Sequence, residues 1–242
     1  MDNKKYIAGI ITPNLLHRLE TDKKNFFHVD SSSLIKTAFE LRYDLFENKF
    51  WNNLSGRIRK IDDTLQIGTI RLITDGGKFN MSTDYRLEKW KEILSQEQIP
   101  NWIDLEHERI RSLDKLREIT DPKGVKILMS RQWRYFTPFY KDMRKVAEDA
   151  IGKKIPGLKL VVKATKLEEC NSLFRIIDEY KEEFEFLAIF AQGDASLLSR
   201  IKSLRNGSNL SYGTILPTNA VEAPEAVLII NGLNQGCQHG IF

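Results

Sequence analysis

The residues of this chain that could do chemistry are charged groups at short intervals: Glu40, Arg42 and Asp44; Arg71 and Asp75; Asp104 and Glu106; Ser199 and Arg200. Arginines in such company suit recognition of an anion, because a planar guanidinium donates two parallel hydrogen bonds to a carboxylate. The same residues also suit ion pairing within the fold, since a charge at the end of an apolar strand is costly unless paired. Other chemistries lack their residues. The four histidines, His17, His28, His107 and His239, fall in no zinc-type spacing, and Asp75-Gly76-Gly77 lacks the Lys-Ser/Thr ending of a phosphate loop. Cys170 and Cys237 show no pairing pattern, so reduced thiols are expected, with no metal and no cofactor. The formal charge of +4 is mild, and basic residues such as Lys141, Arg144 and Lys145 stand beside Asp142, Glu148 and Asp149. That pattern reads as solvated helix faces, so no nucleic-acid partner is expected.

The elements that must position these groups alternate regularly. Short apolar or β-branched runs at 6–12, 38–43, 66–73, 102–105, 125–129, 158–164, 186–190 and 209–213 read as strands. Amphipathic stretches at 50–60, 83–94, 109–119, 137–151, 166–183, 195–204 and 219–233 read as helices between and after them. Leu173, Ile176, Ile177 and Tyr180 carry the i, i+3, i+4, i+7 spacing of one buried stripe. Eight strands alternating with helices in 242 residues imply an α/β chain, a single-domain (β/α)8 TIM barrel over 1–242. The first crossover, 16–33, reads as irregular and polar. No apolar run approaches the roughly 20 residues of a membrane span. The basic N-terminus and the short apolar run after it read as a first strand rather than a signal peptide, so a cytoplasmic protein with no membrane partner is expected. In such barrels reacting groups lie at the C-terminal ends of strands, where the charged clusters fall.

Six segments in order resemble the type I 3-dehydroquinate dehydratase family across roughly 39–226. Glu40-Leu41-Arg42-Tyr43-Asp44 is similar to its Glu-Leu-Arg-x-Asp, and Arg71-Leu72-Ile73-Thr74-Asp75-Gly76-Gly77 to its Arg-x-x-x-Glu-Gly-Gly, with Asp75 for glutamate. Asp104-Leu105-Glu106 resembles the fourth-strand acidic pair. Gln192-Gly193 with Ser199-Arg200 keeps the spacing of Met-Gly-x-x-Gly-x-x-Ser-Arg, and Gly207-Ser208-Asn209-Leu210-Ser211 resembles Gly-Ser-x-Leu-Thr. Ser130-Arg131-Gln132-Trp133-Arg134-Tyr135-Phe136-Thr137-Pro138 aligns with Ser-x-His-x-x-x-x-Thr-Pro. The resemblance implies the barrel fold and Schiff-base lyase chemistry of the shikimate pathway. In it a lysine condenses with the ketone of 3-dehydroquinate, a histidine moves the protons, and arginines hold the carboxylate. It also implies a small-molecule carboxylate as partner and a homodimer, the common state of family members.

The departures fall on the chemistry. Gln132 replaces the histidine, and an amide cannot carry a proton at neutral pH, so about 10²–10⁴-fold in rate is expected to be lost. The family's Ser-Ala-Pro-Gly-Gln lid reads Glu222-Ala223-Pro224-Glu225-Ala226. Glu222 is carried over as substrate-binding with Glu40, Arg42, Arg71 and Arg200, while acids near Pro224 equally suit a helix start. Gly157-Leu158-Lys159-Leu160-Val161-Val162-Lys163-Ala164-Thr165 resembles Gly-Ala-Asp-x-x-Lys-x-Ala-Thr, with Val162 at the lysine position and Lys163 one residue late. One residue reverses a side chain in a strand. An inward face of Leu158, Leu160, Val162 and Ala164 is wholly apolar, and that register is expected. Its rival turns Lys159, Val161 and Lys163 inward and buries two cations, unless a bulge re-aims Lys163 alone. Lys163 is the candidate imine former, Asp75 a candidate catalytic carboxylate, and a surface lysine the plainer reading of Lys163. Two functions of different class follow: a divergent dehydratase of reduced or lost activity, or a non-catalytic homologue that binds a small carboxylate or serves as a regulatory partner. A lyase or aldolase using Asp75, Glu106 or Glu222 as base is a third.

Overall fold

A computed structural model describes residues 4–22, 35–216 and 223–239, the last five as backbone alone. Eight parallel strands, β1 (Lys5–Ile11), β2 (Ile35–Arg42), β3 (Leu65–Thr69), β4 (Trp102–Glu106), β5 (Lys126–Trp133), β6 (Gly157–Lys163), β7 (Phe186–Gln192) and β8 (Leu210–Thr214), form one sheet in the order 7-6-5-4-3-2-1-8. Helices α1 (Pro13–Asp22), α2 (Leu54–Arg59), α3 (Thr83–Leu94), α4 (Leu113–Thr120), α5 (Tyr140–Gly152), α6 (Asn171–Tyr180), α7 (Ser196–Asn206) and α8 (Ala226–His239) alternate with them. This is the expected single-domain (β/α)8 barrel. Among the described residues no helix is long and apolar enough to cross a membrane.

The barrel closes between β7 and β8 without a regular ladder. At one end the Leu187 and Asn209 backbones bond at 3.1 Å, and the Asn209 amide side chain reaches the Leu187 N–H at 2.8 Å and the Glu185 carbonyl at 2.7 Å. At the other end Arg200, from α7, donates to the Ala191 carbonyl at 2.7 Å and the Tyr212 carbonyl at 3.0 Å. Apart from that one backbone bond, side chains thus supply the hydrogen bonds that strand pairing supplies at the other seven seams.

Two apolar layers flank the strands. The outer layer packs Leu158, Leu160 and Val162 of β6 with Leu173, Ile176 and Ile177 of α6, so the helix stripe seen in the sequence is buried there. The inner layer consists of strand residues alone, among them Ala8, Ala38, Ile67, Trp102, Leu128, Val161, Ala188 and Leu210. Several elements are shorter than expected, β3 ending at Thr69 rather than 73 and α6 beginning at Asn171 rather than 166, and three further differences have a clear local cause. The first crossover begins as helix α1, with Pro13 at its first position and Leu15, Leu16 and Leu19 buried; 23–34 lie outside the described residues. Strand β5 runs four residues past Met129, because Ser130 to Trp133 continue pairing with Lys159 to Val162. Helix α5 starts at Tyr140 rather than 137: Pro138 disfavours helical backbone at Thr137, whose hydroxyl instead bonds the Lys163 carbonyl at 2.8 Å.

Candidate functional site

Inward side chains near the C-terminal ends of the strands line a pocket of about 230 Å³. Arg42, Arg71, Arg134, Lys159 and Arg200 line it with two carboxylates, Glu40 and Asp75, and two amides, Gln132 and Gln192. Of the residues singled out from the sequence, Glu40, Arg42, Arg71, Asp75, Gln132 and Arg200 therefore converge here. Lys163 does not line the pocket. It ends β6, half-buried, with its Cε 3.3 Å from where a Cβ on Gly193 would stand. Glu222 lies outside the described residues, although its neighbour Ala223 lines the pocket.

The register of β6 is the reverse of the one expected. Val162 faces the helices with Leu158 and Leu160, whereas Lys159 and Val161 face the barrel interior. The outer surface of a barrel strand is buried under helices and is at least as apolar as the interior. An apolar face therefore marks the helix side here, and the lysine face marks the lumen. Three inward side chains, one from each of the other even-numbered strands, meet Lys159. Its Nζ lies 3.1 Å from Glu40 Oε1, 3.9 Å from Asp104 Oδ2 and 3.5 Å from the Tyr212 ring centroid. Alternate strands contribute to one layer in such barrels, so this grouping follows from the architecture.

The carboxylates and arginines are woven into one buried network. Arg71, 3% exposed, pairs with Asp104 at 2.7 Å and bonds Ser130 Oγ at 3.1 Å, while Ser130 donates to Asp104 at 2.6 Å. Arg42 grips Asp44 through two bonds of 2.9 and 2.8 Å. Asp44 also accepts the backbone N–H of Arg71 and of Lys78, tying the loop after β3 to the turn after β2. Arg86 of α3 meets Glu106 at 2.5 Å. Within that loop Gly76 adopts φ 80°, and a Cβ on Gly77 would stand 2.0 Å from the Arg71 carbonyl oxygen, which accounts for the paired glycines after Asp75. Each arginine expected to bind substrate thus already holds an internal partner. Arg200, 1% exposed, also bonds the Ser196 carbonyl and hydroxyl and lies over the Phe190 ring.

Burial opposes charge on Asp104, but Arg71, Lys159 and the Ser130 hydrogen bond outweigh it and hold the carboxyl below its ordinary value. Burial pushes the Lys159 amine below its usual value, with Glu40 and Asp104 pulling the other way. Asp75 is raised by burial and by Glu106 and Asp104, against the pull of Arg71. Burial, then Glu40 and Asp104, lift the Tyr212 phenol well above normal, so it stays a hydrogen-bond donor.

Sequence reasoning passed over Lys159, which it turned inward only in the rival register, and missed Tyr212 and Gln192 as pocket residues. A signal for the first existed: Glu40 and Asp104 on inward strand positions need a buried cation, and the Lys159-x-Val161-x-Lys163 alternation offers one.

Fold and site together define a (β/α)8 barrel with a cation-rich polar pocket at its C-terminal mouth. The model of the family described as type I 3-dehydroquinase matches residues 28–235, and the chain belongs to that family. A 3-dehydroquinate dehydratase of Methanosarcina barkeri (strain Fusaro / DSM 804) is 23% identical over 212 residues, covering 86% of this chain and 85% of that one. The 3-dehydroquinate dehydratase of Geobacillus kaustophilus HTA426 superposes with TM-score 0.82 at 16% identity, covering 98% of this chain and 93% of the other. The type I enzyme of Clostridium difficile does so with TM-score 0.81 at 18% identity, covering 98% and 94%.

Proposed function

We propose that this chain binds a small oxygenated carboxylic acid of the 3-dehydroquinate kind at the barrel mouth, as a dehydratase homologue whose turnover is reduced or lost. The carrying observation is the pocket itself: its five lining cations outnumber Glu40 and Asp75 in the lining together with Asp44 and Asp104 behind it, and Gln132, which aligns with the family's histidine, lines it too. A cationic, partly desolvated cleft favours an anionic ligand. An amide at the base position removes the general acid/base contribution of about 10²–10⁴-fold. The Clostridium difficile protein was solved with covalently modified comenic acid, itself a small carboxylic acid.

The test pairs calorimetric binding of 3-dehydroquinate with its turnover, read by ultraviolet absorbance of the enone product. Binding with turnover far below that of a histidine-bearing family member is expected, and Gln132→His is expected to raise the rate by at least tenfold. Absence of binding by the wild type refutes the reading. An imine route is the second reading, and Lys159 favours it, being a pocket-lining amine that burial pushes toward its neutral, nucleophilic form. Borohydride reduction with 3-dehydroquinate, followed by peptide mass mapping, decides it. An adduct on Lys159 supports that route, an adduct on Lys163 restores the residue expected from sequence, and no adduct removes the imine altogether.

A further inference from the structure

Tyr212 is 2% exposed and lines the pocket from β8, yet its hydroxyl has no hydrogen-bond partner among the described residues. The ring alone would satisfy its packing: it lies 6.0 Å from the Phe190 ring and carries the Lys159 ammonium on its face. A phenylalanine would do the same without burying an unpaired polar atom, which is destabilising in a folded protein. The hydroxyl is therefore unexplained by folding. Tyr43 also buries an unpartnered hydroxyl, but its ring packs in the outer layer against Trp51 and Trp90, away from the pocket.

Lys159 supplies the second half of the argument. Lys159 lines the same pocket, and Glu40 accepts one of its N–H bonds at 3.1 Å. An ammonium has three donors, and its four-carbon stem lets the head move without backbone change. With Nζ 3.5 Å over the ring centroid and the phenol oxygen on the ring's rim, the two are separated by less than two hydrogen-bond lengths, about 6 Å. One oxygen atom can accept from both.

We propose that Lys159 Nζ and Tyr212 Oη form an oxygen-binding subsite at the pocket floor, taking one uncharged hydroxyl or carbonyl oxygen of the bound acid. The claim rests on the proposed carboxylate-binding function and adds to it the basis for preferring oxygenated acids to plain ones. A site built to hydrogen-bond a ligand oxygen discriminates strongly against an analogue lacking it, because its buried donors are then left unpaired.

The test is Tyr212→Phe, which keeps the ring beneath Lys159 and removes the hydroxyl alone. Calorimetry with 3-dehydroquinate is expected to show binding weakened about tenfold or more. Cyclohexanecarboxylate, which has no oxygen beyond its carboxylate, is expected to bind wild type and variant equally. The melting temperature of the variant without ligand is expected to equal or exceed that of wild type. Unchanged affinity for 3-dehydroquinate, an equal loss for both acids, or a clearly lower melting temperature would each overturn the subsite. Those results leave carboxylate binding intact, whereas a wild type that binds 3-dehydroquinate not at all removes both proposals.

Discussion

Replacing Lys159 by methionine tests the register of β6 and the charge balance of the barrel interior at once. The lysine side chain is 5% exposed, with Glu40 Oε1 at 3.1 Å and Asp104 Oδ2 at 3.9 Å. At an effective dielectric of about 20, those separations correspond to roughly 5 and 4 kcal/mol of Coulomb attraction, partly cancelled by the desolvation of the ions. Breaking a buried pair by removing one partner costs about 3–5 kcal/mol, because the other charge stays buried. At about 2–4 °C per kcal/mol for a chain of this size, Lys159→Met should lower the melting temperature by about 6–20 °C. Asp104 keeps Arg71 at 2.7 Å, so the uncompensated charge falls mainly on Glu40. Adding Glu40→Gln should therefore recover about 2 kcal/mol or more of coupling. Urea denaturation of wild type, both single variants and the double variant measures it. Val162→Lys completes the design, since it would thrust an ammonium among Leu173, Ile176 and Ile177 beneath α6. A Lys159→Met cost below about 1 kcal/mol together with tolerance of Val162→Lys would refute the inward lysine.

Further outcomes follow from the same network. Arg200→Met should cost about 3 kcal/mol by stranding the Ala191 and Tyr212 carbonyls, and amide exchange should quicken at 189–192 and 211–214 while β2 to β5 stay protected. Exchange that quickens uniformly would count against a closing role for Arg200 at the β7–β8 seam. Asp104 has its folded-state pKa held below the unfolded value of about 3.9, so the stability it contributes is present above that pH and lost as pH falls below it. The stability gap between wild type and Asp104→Asn should accordingly shrink on acidification from pH 6 to pH 2.5, and a constant gap would contradict the assignment. Asp75→Asn should tighten binding of 3-dehydroquinate, because it removes a carboxyl that burial and neighbouring acids already hold above its ordinary pKa. Weaker binding in that variant would make Asp75 a contact to the ligand's hydroxyls instead.

The sequence by itself determined the barrel, the family and the set of strand-end charges, since each rests on local pattern: apolar runs at strand length, one helix stripe per crossover, and short motifs in fixed order. Glu40, Arg42, Arg71, Asp75, Gln132 and Arg200 reached the pocket for that reason. Only the tertiary structure decided which way β6 faces and what the arginines hold. Both faces of a barrel strand are buried, so an apolar alternation says that a face is covered without saying by what. The α6 stripe claimed Leu158, Leu160 and Val162, and Glu40 and Asp104 inside the barrel claimed Lys159. The Ala191 and Tyr212 carbonyls that Arg200 bridges were equally invisible, because they are backbone groups exposed where two strands meet without a ladder. Such groups carry no side-chain signature, and they exist only once the sheet has closed.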